Sequence, residues 1–174
     1  RCDITKEHLL PAGRRRDTIQ ALQRAGLVAF THADSAAPLS WEAELRRFSV
    51  VPVIRCRHVV KAFYRQGESR VVPLSEMREK RILAFSGIGR HDGFVQDLSG
   101  LGLNLVHTMK FADHHWYSRR DVHTILRHAK EYQVDAFVTT EKDISRLDGE
   151  PERFRELYLR RPVYYSRIAI EVIE

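Results

Sequence analysis

The stretch Arg81-Ile82-Leu83-Ala84-Phe85-Ser86-Gly87-Ile88-Gly89 decides the fold. A short apolar run closed by a glycine turn reads as a buried strand. Downstream, a helix is predicted with Phe94, Leu98 and Leu101 inward and Gly102 as its stop. Leu103, Leu105, Met109 and Phe111 then alternate as a second strand. Ser118 and Asp121 stand at capping-box spacing, opening a helix that buries Val122, Ile125, Leu126 and Ala129. Val134 to Thr139 is another buried strand, and Val163 to Ile173 alternates as the last. This β-α-β-α-β order implies a parallel sheet with helices packed on it. The expected class is α/β, with a small three-layer α/β/α domain of mostly parallel sheet over residues 79–174.

Upstream the pattern is less regular. Asp17 and Gln20 suggest a capping box, with a helix running to Ala25 and Gly26 in the left-handed position after it. Leu27 to Thr31 reads as a short strand. Pro38 to Phe48 reads as a helix with Trp41, Leu45 and Phe48 on one face. Val50 to Ile54 is a strand. Val59 to Tyr64 and Arg70 to Leu74 form an antiparallel pair around Gln66-Gly67-Glu68. Residues 1–54 therefore look like the tail of another α/β unit, joined through a β-ribbon linker at 55–78.

The chain has 174 residues, enough for one good core or two small ones. It is 43% hydrophobic and 30% charged, the balance of a soluble globular protein. No apolar run approaches the ~20 residues of a membrane span. It opens on Arg1-Cys2-Asp3 with no visible signal peptide, as expected of a fragment or a processed product. A net charge of +6 and a pI near 9.6 favour an anionic partner: nucleic acid, a phosphate-bearing substrate or an anionic membrane face. A solvated basic surface is the plainer alternative. Cys2 and Cys56 form no metal pattern and suit a reducing cytoplasm.

The densest chemistry lies at Phe111-Ala112-Asp113-His114-His115-Trp116-Tyr117, where a strand ends and a helix begins. Ligand chemistry collects at such strand ends in open α/β sheets. An imidazole there can act as a general base, or can orient and tune a carboxylate. A polar cap is the structural alternative. Adjacent histidines on a strand point to opposite faces, so His114 and His115 are poorly placed to share a metal. Asp-His-His also occurs in a metal-dependent phosphoesterase family, but the further aspartates and glycine-rich His motif of that family are absent. Thr139-Thr140-Glu141-Lys142-Asp143 caps another buried strand. It reads as a capped helix start with a local salt bridge, or as a phosphate contact at a helix N-terminus. Thr31 and Asp34 follow a third strand, where polar groups reach a purine edge or form an ordinary loop. Leu9-Leu10-Pro11-Ala12-Gly13 leads into Arg14, whose guanidinium could face phosphate. No Gly-Lys dipeptide occurs, so the chain carries no phosphate-binding loop of the Gly-Lys-Ser/Thr kind.

Taken together, these motifs resemble the C-terminal part of the tetraacyldisaccharide 4'-kinase family, the lipid A 4'-kinases. The resemblance rests on Leu9 to Gly13, Thr31 with Asp34, Gly87-Ile88-Gly89 with Phe94, and Phe111-x-Asp113-His114-His115-x-Tyr117. It also rests on Thr139 to Asp143, followed by Arg146-Leu147. Order and spacing agree across nearly the whole chain. The chain departs from the family at Arg14-Arg15-Arg16-Asp17-Thr18, and it lacks the N-terminal half with its phosphate-binding loop, metal-binding carboxylates and catalytic aspartate.

The resemblance implies an ATP-dependent, Mg²⁺-using transfer to the 4'-hydroxyl of a lipid A disaccharide precursor. It implies a peripheral place at the cytoplasmic face of the bacterial inner membrane, with no nucleic-acid partner. It also implies that residues 1–54 are the remnant of a P-loop kinase-like nucleotide-binding domain. A histidine of the Asp-His-His segment would pair with the missing aspartate: His114 first, His115 second, with Asp113 beside them. Thr31 and Asp34 would contact adenine. The chain by itself is expected to be inactive, as a fragment or as a decayed copy. The alternatives from other classes are a metal-dependent phosphoesterase and a non-catalytic basic binding module.

Overall fold

Side chains alternate across a strand, so Leu83 and Phe85 face one way and Ile82 and Ala84 the other. All four are fully buried, which is why this strand is an unbroken apolar run rather than an alternating one. The structure, a computed structural model, describes residues 6–13, 15–31, 43, 46–48, 50–149 and 151–173. A 3-10 helix spans Ile19–Arg24. The strands are β1 (Val28–Phe30), β2 (Val53–Arg65), β3 (Val71–Val72), β4 (Arg81–Ser86), β5 (Asn104–Lys110), β6 (Ala136–Thr140) and β7 (Val163–Ile173). The α-helices are α1 (Leu74–Arg78), α2 (His91–Gly100), α3 (Arg119–Glu131), α4 (Glu141–Asp148) and α5 (Pro151–Arg160). The chain divides into two compact units, 1–58 with 170–174, and 59–169.

In the larger unit the strand order is β2-β7-β6-β4-β5, with β3 beside β2. β4 pairs in parallel with β5 and β6, and β6 in parallel with β7. β2 runs antiparallel to β7: Tyr64 stacks on Tyr165, and Gln66 N–H donates to Val163 C=O. Leu83 and Phe85 pack with Val122 and Ile125 of α3, Ile144 and Leu147 of α4, and Phe154 and Leu157 of α5. Ile82 and Ala84 pack with Met77 of α1 and with Phe94 and Leu98 of α2. Helices thus cover both faces, and the expected α/β/α layering is found. Each such fully buried apolar side chain contributes about 1.5–3 kcal/mol.

The chain leaves β4 outward to β5, then returns past β4 to build β6 and β7 on the other side. The direction of winding reverses between β4 and β6. Their carboxyl ends therefore flank a topological switch point, the usual crevice for ligands in open α/β sheets. Ser86 aligns with Lys110, and Thr140 aligns with Ser166. The Gly87 turn, the Asp113-His114-His115 segment and the start of α4 all emerge at this edge.

Several local expectations change. The segment after Asp17 is 3-10 rather than α-helical; Thr18 stands at its N-cap without a side-chain cap. It has no buried residue, so no packed face supplies what a short α-helix needs. Gly26 does not take a positive φ, whereas Gly102 does, at 76°, and ends α2 as expected. The strands expected at 50–54 and 59–64 form one long β2. β3 lasts two residues because Pro73, which has no N–H, starts α1 instead. The sequence reading missed α1 and α5. The α5 signal was present in Pro151 at the first helical position and in the Phe154–Leu157 spacing. The expected helix from Pro38 to Phe48 lies largely outside the described residues.

Candidate functional site

At the carboxyl end of β6, Thr140 is the N-cap of α4. Its hydroxyl accepts the Asp143 N–H at 3.2 Å and donates to Asp143 Oδ2 at 2.7 Å. Asp143 is fully buried. An ionised carboxylate in such a place is tolerated only when its oxygens are satisfied. Both oxygens accept the Gly87 N–H at 3.2 Å, and Arg146 Nη1 donates to Oδ1 at 2.9 Å. The start of α4 is therefore tied to the turn after β4, 56 residues earlier in the chain.

Gly87 also holds the Asp-His-His segment. Its carbonyl accepts the His114 N–H and Arg146 Nη1, both at 3.0 Å. A side chain at Gly87 has no room: a Cβ there would lie 2.9 Å from His115 Cβ and 3.2 Å from both Ala112 O and Asp143 Oδ1. His114 itself takes a left-handed backbone, φ 60°. That conformation is strained for a residue with a Cβ and persists only where the surroundings fix it. The segment is a turn and not a strand end, so the two histidines diverge through backbone conformation rather than by strand alternation.

The two imidazoles have different surroundings. His115 is three-quarters buried. Its ring stacks on Phe111 at 4.9 Å and meets Tyr117 edge-on at 5.1 Å, and its Nε2 lies 3.0 Å from Asp121 Oδ2. Asp121 also accepts the Ser118 N–H and hydroxyl, both at 2.7 Å, completing the expected capping box of α3. Burial pushes the Asp121 carboxyl up, but the bonds from Ser118 and His115 outweigh it and leave the group below its ordinary value. His114 is 82% exposed. Its Nδ1 lies 3.3 Å from Arg146 Nη2, and its Nε2 lies 3.9 Å from Asp113 Oδ1. Asp113 is more than half exposed.

Tyr117 lies beneath the segment, buried against Phe85, Phe111 and Phe154. Burial and then the neighbouring Asp143 carboxylate push its hydroxyl well above the ordinary phenol value. That hydroxyl makes no hydrogen bond of good geometry among the described residues. At the end of β4, buried Ser86 meets His91 Nδ1 at 2.8 Å, and burial pushes the His91 imidazole below its ordinary value.

The structure thus brings Asp113, His114 and His115 together at the switch point, with Gly87, Thr140, Asp143 and Arg146 as their support. Thr140 and Asp143 were legible as a capped helix start, but their reach to Gly87 was not. Thr31 is an exposed residue in the turn after β1, in the smaller unit, and Asp34 lies outside the described residues. In the Leu9–Gly13 turn, Leu10 N–H donates to Arg15 C=O and Gly13 N–H to Leu9 C=O. Among the described residues, no group of three His, Cys, Asp or Glu side chains could hold a metal ion.

Comparison with known proteins places the chain in a family. The model of the family described as LpxK, tetraacyldisaccharide-1-P 4'-kinase, matches residues 2–173. The tetraacyldisaccharide 4'-kinase of Anaeromyxobacter sp. (strain K) is 38% identical over 146 residues, 82% of this chain and 38% of that protein. The enzyme of that name from Desulfatibacillum aliphaticivorans is 35% identical over 159 residues, 87% of this chain and 42% of the relative. A crystal structure of the "apo" form of LpxK from Aquifex aeolicus in complex with ATP superimposes with a TM-score of 0.63 at 22% identity. It covers 97% of this chain and 45% of that one, and it establishes likeness of fold. The chain spans about four tenths of the length of the curated relatives it matches. On the family match over nearly its whole length, this chain belongs to the tetraacyldisaccharide-1-P 4'-kinase family.

Proposed function

We propose that the whole protein is an ATP-dependent kinase that phosphorylates the 4'-hydroxyl of a lipid A disaccharide precursor, and that this chain supplies its C-terminal part. The observation that carries the proposal is the Asp-His-His turn at the switch point. It is strained, anchored from below, and presents one exposed imidazole. In this reading residues 1–54 are the remnant of the nucleotide-binding domain, 55–78 a β-ribbon linker and 79–174 the C-terminal domain. Thr31 and Asp34 contact adenine.

The role assignment within the turn follows from availability. His115 Nε2 is held by Asp121 and its ring lies between aromatics, so it shapes the turn. His114 is free to meet a reactant. It pairs with a carboxylate outside this chain, and that carboxylate takes the proton of the attacking hydroxyl. Asp113, with Oδ1 3.9 Å from Nε2, adds negative charge beside the ring. Mg²⁺ supplies charge neutralisation at the transferring phosphate in such reactions. In this reading its ligands lie in the rest of the whole protein. Among the described residues no helix is long and apolar enough to cross a membrane. The lipid precursor would be met peripherally, at the cytoplasmic face of the inner membrane.

The test is steady-state kinetics of the whole protein on a tetraacyldisaccharide 1-phosphate acceptor with ATP. His114→Ala should lower kcat by about 10²–10⁴ while leaving KM nearly unchanged. An effect confined to KM would move His114 from catalysis to binding, and no ATP-dependent phosphorylation by the unaltered protein would overturn the reading.

A further inference from the structure

Arg146 stands between a buried carboxylate and the exposed imidazole. Its Nη1 is committed to Asp143 Oδ1 and to the Gly87 carbonyl, and only 17% of its side chain is exposed. Its Nη2 lies 3.3 Å from His114 Nδ1. A guanidinium has donors only and keeps its protons in proteins. A hydrogen bond at this contact requires a neutral ring with Nδ1 as the acceptor and its proton on Nε2.

We propose that Arg146, anchored by Asp143, is a positioning residue that fixes His114 as its Nε2–H tautomer and so presents an N–H donor, not a lone pair, to the reacting groups. The inference rests on the reading of His114 as the active member of the pair. It adds what holds that member in the state the pairing needs. With Nδ1 occupied by the guanidinium and Nε2 protonated, the neutral ring has no open lone pair with which to accept the proton of the substrate hydroxyl. It donates a hydrogen bond instead, which orients a partner carboxylate and leaves that carboxylate as the base. Among the described residues the acidic group near Nε2 is Asp113 Oδ1 at 3.9 Å, beyond hydrogen-bond reach.

The arrangement is built and not incidental. The contact depends on a chain of groups with little freedom: the Thr140 cap, the fully buried Asp143, the Gly87 peptide and the left-handed His114 backbone. Arg146 donates to the same Gly87 carbonyl that holds the His114 N–H, so ring and backbone of His114 are referenced to one peptide. Replacing Arg146 by lysine would keep a charge but lose the planar fork that serves Asp143, Gly87 and His114 at once.

The test uses the protein with ¹⁵N-labelled histidine and long-range ¹H–¹⁵N correlations through the rings, which distinguish a protonated from an unprotonated ring nitrogen. His114 is expected as the Nε2–H form. In Arg146→Gln it should become a mixture of tautomers, while the His115 signals, governed by Asp121, stay unchanged and report an intact turn. A predominantly Nδ1–H His114, or a tautomer indifferent to Arg146→Gln, would overturn the proposal. In the whole enzyme Arg146→Gln should lower kcat by about 10²-fold with little change in KM, because the donor is no longer held in place. Arg146→Lys should restore part of that loss at most, and full rescue by lysine would reduce Arg146 to a source of charge. These outcomes separate from those of the functional reading. A fixed tautomer in a protein without kinase activity would leave this inference standing and remove the other. A mixed tautomer in an active kinase would do the reverse.

Discussion

Ser118-Arg119-Arg120-Asp121 and Thr140-Glu141-Lys142-Asp143 carry the same pattern, a hydroxyl followed three residues later by an aspartate, and each starts a helix. In both, the hydroxyl accepts the aspartate N–H at 3.2 Å. The carboxylates then diverge. Asp121, about a quarter exposed, turns back to the Ser118 N–H and closes a local capping box. Asp143, with no exposed surface, reaches across the sheet to Gly87 and pairs with Arg146. Each cap also governs one of two adjacent histidines: Asp121 holds the His115 ring, and Asp143 acts on His114 through Gly87 and Arg146. A four-residue signal at a partly exposed site stays local, while the same signal at a buried strand end becomes a long-range tie. Water can satisfy the spare lone pairs of the first but not of the second.

That contrast breaks most readily by removing the two carboxylates in turn. Asp143→Ala leaves the Gly87 N–H and the Arg146 guanidinium without their buried partner and should cost about 3–5 kcal/mol. Asp121→Ala, which removes half of a capping box, should cost about 1–2 kcal/mol. Urea-unfolding midpoints at neutral pH measure both, and equal losses would erase the distinction between the caps.

Gly87→Ala comes next, since its Cβ would fall within 2.9 Å of His115 Cβ and 3.2 Å of an Asp143 oxygen. Overpacking of this kind costs about 1–3 kcal/mol, and the same unfolding experiment reads it. The backbone that carries both histidines should shift with it, visible as changes in both imidazole spectra.

The smallest effect is set by acid. Asp121 has its folded-state value held below the unfolded one, so it binds its proton less readily when folded. Its contribution is fully present above the unfolded carboxyl value of about 4 and is lost as pH falls through the lower folded value. The stability difference between the wild-type protein and Asp121→Asn should therefore shrink between neutral pH and about pH 3. A difference that does not change over that range would mean that the hydrogen bonds to Asp121 do not favour its ionised form.

Much of this is legible in the sequence. The strand at 81–86, the helix stopped by Gly102, the Ser118 capping box and the final strand at 163–173 are local patterns, and local patterns survive folding. The helix expected after Asp17 did not form, because a capping signal without a buried face has nothing to reinforce it. α5 went unread although Phe154 and Leu157 stand at helical spacing, since half of the ten-residue segment is charged and its apolar face is narrow.

The sequence alone determined that an α/β sheet would form and that an aspartate and two histidines would lie between one strand and the helix after it. It also carried the motifs of the family. It did not determine which histidine would be held and which presented. That choice depends on Gly87, Asp143 and Arg146 meeting across strands β4 and β6. These residues lie more than fifty positions apart for Gly87 and Asp143, and only the winding of the sheet brings them within hydrogen-bond distance. Short-range preferences are written in neighbouring residues. The satisfaction of a buried charge is a property of the packed whole.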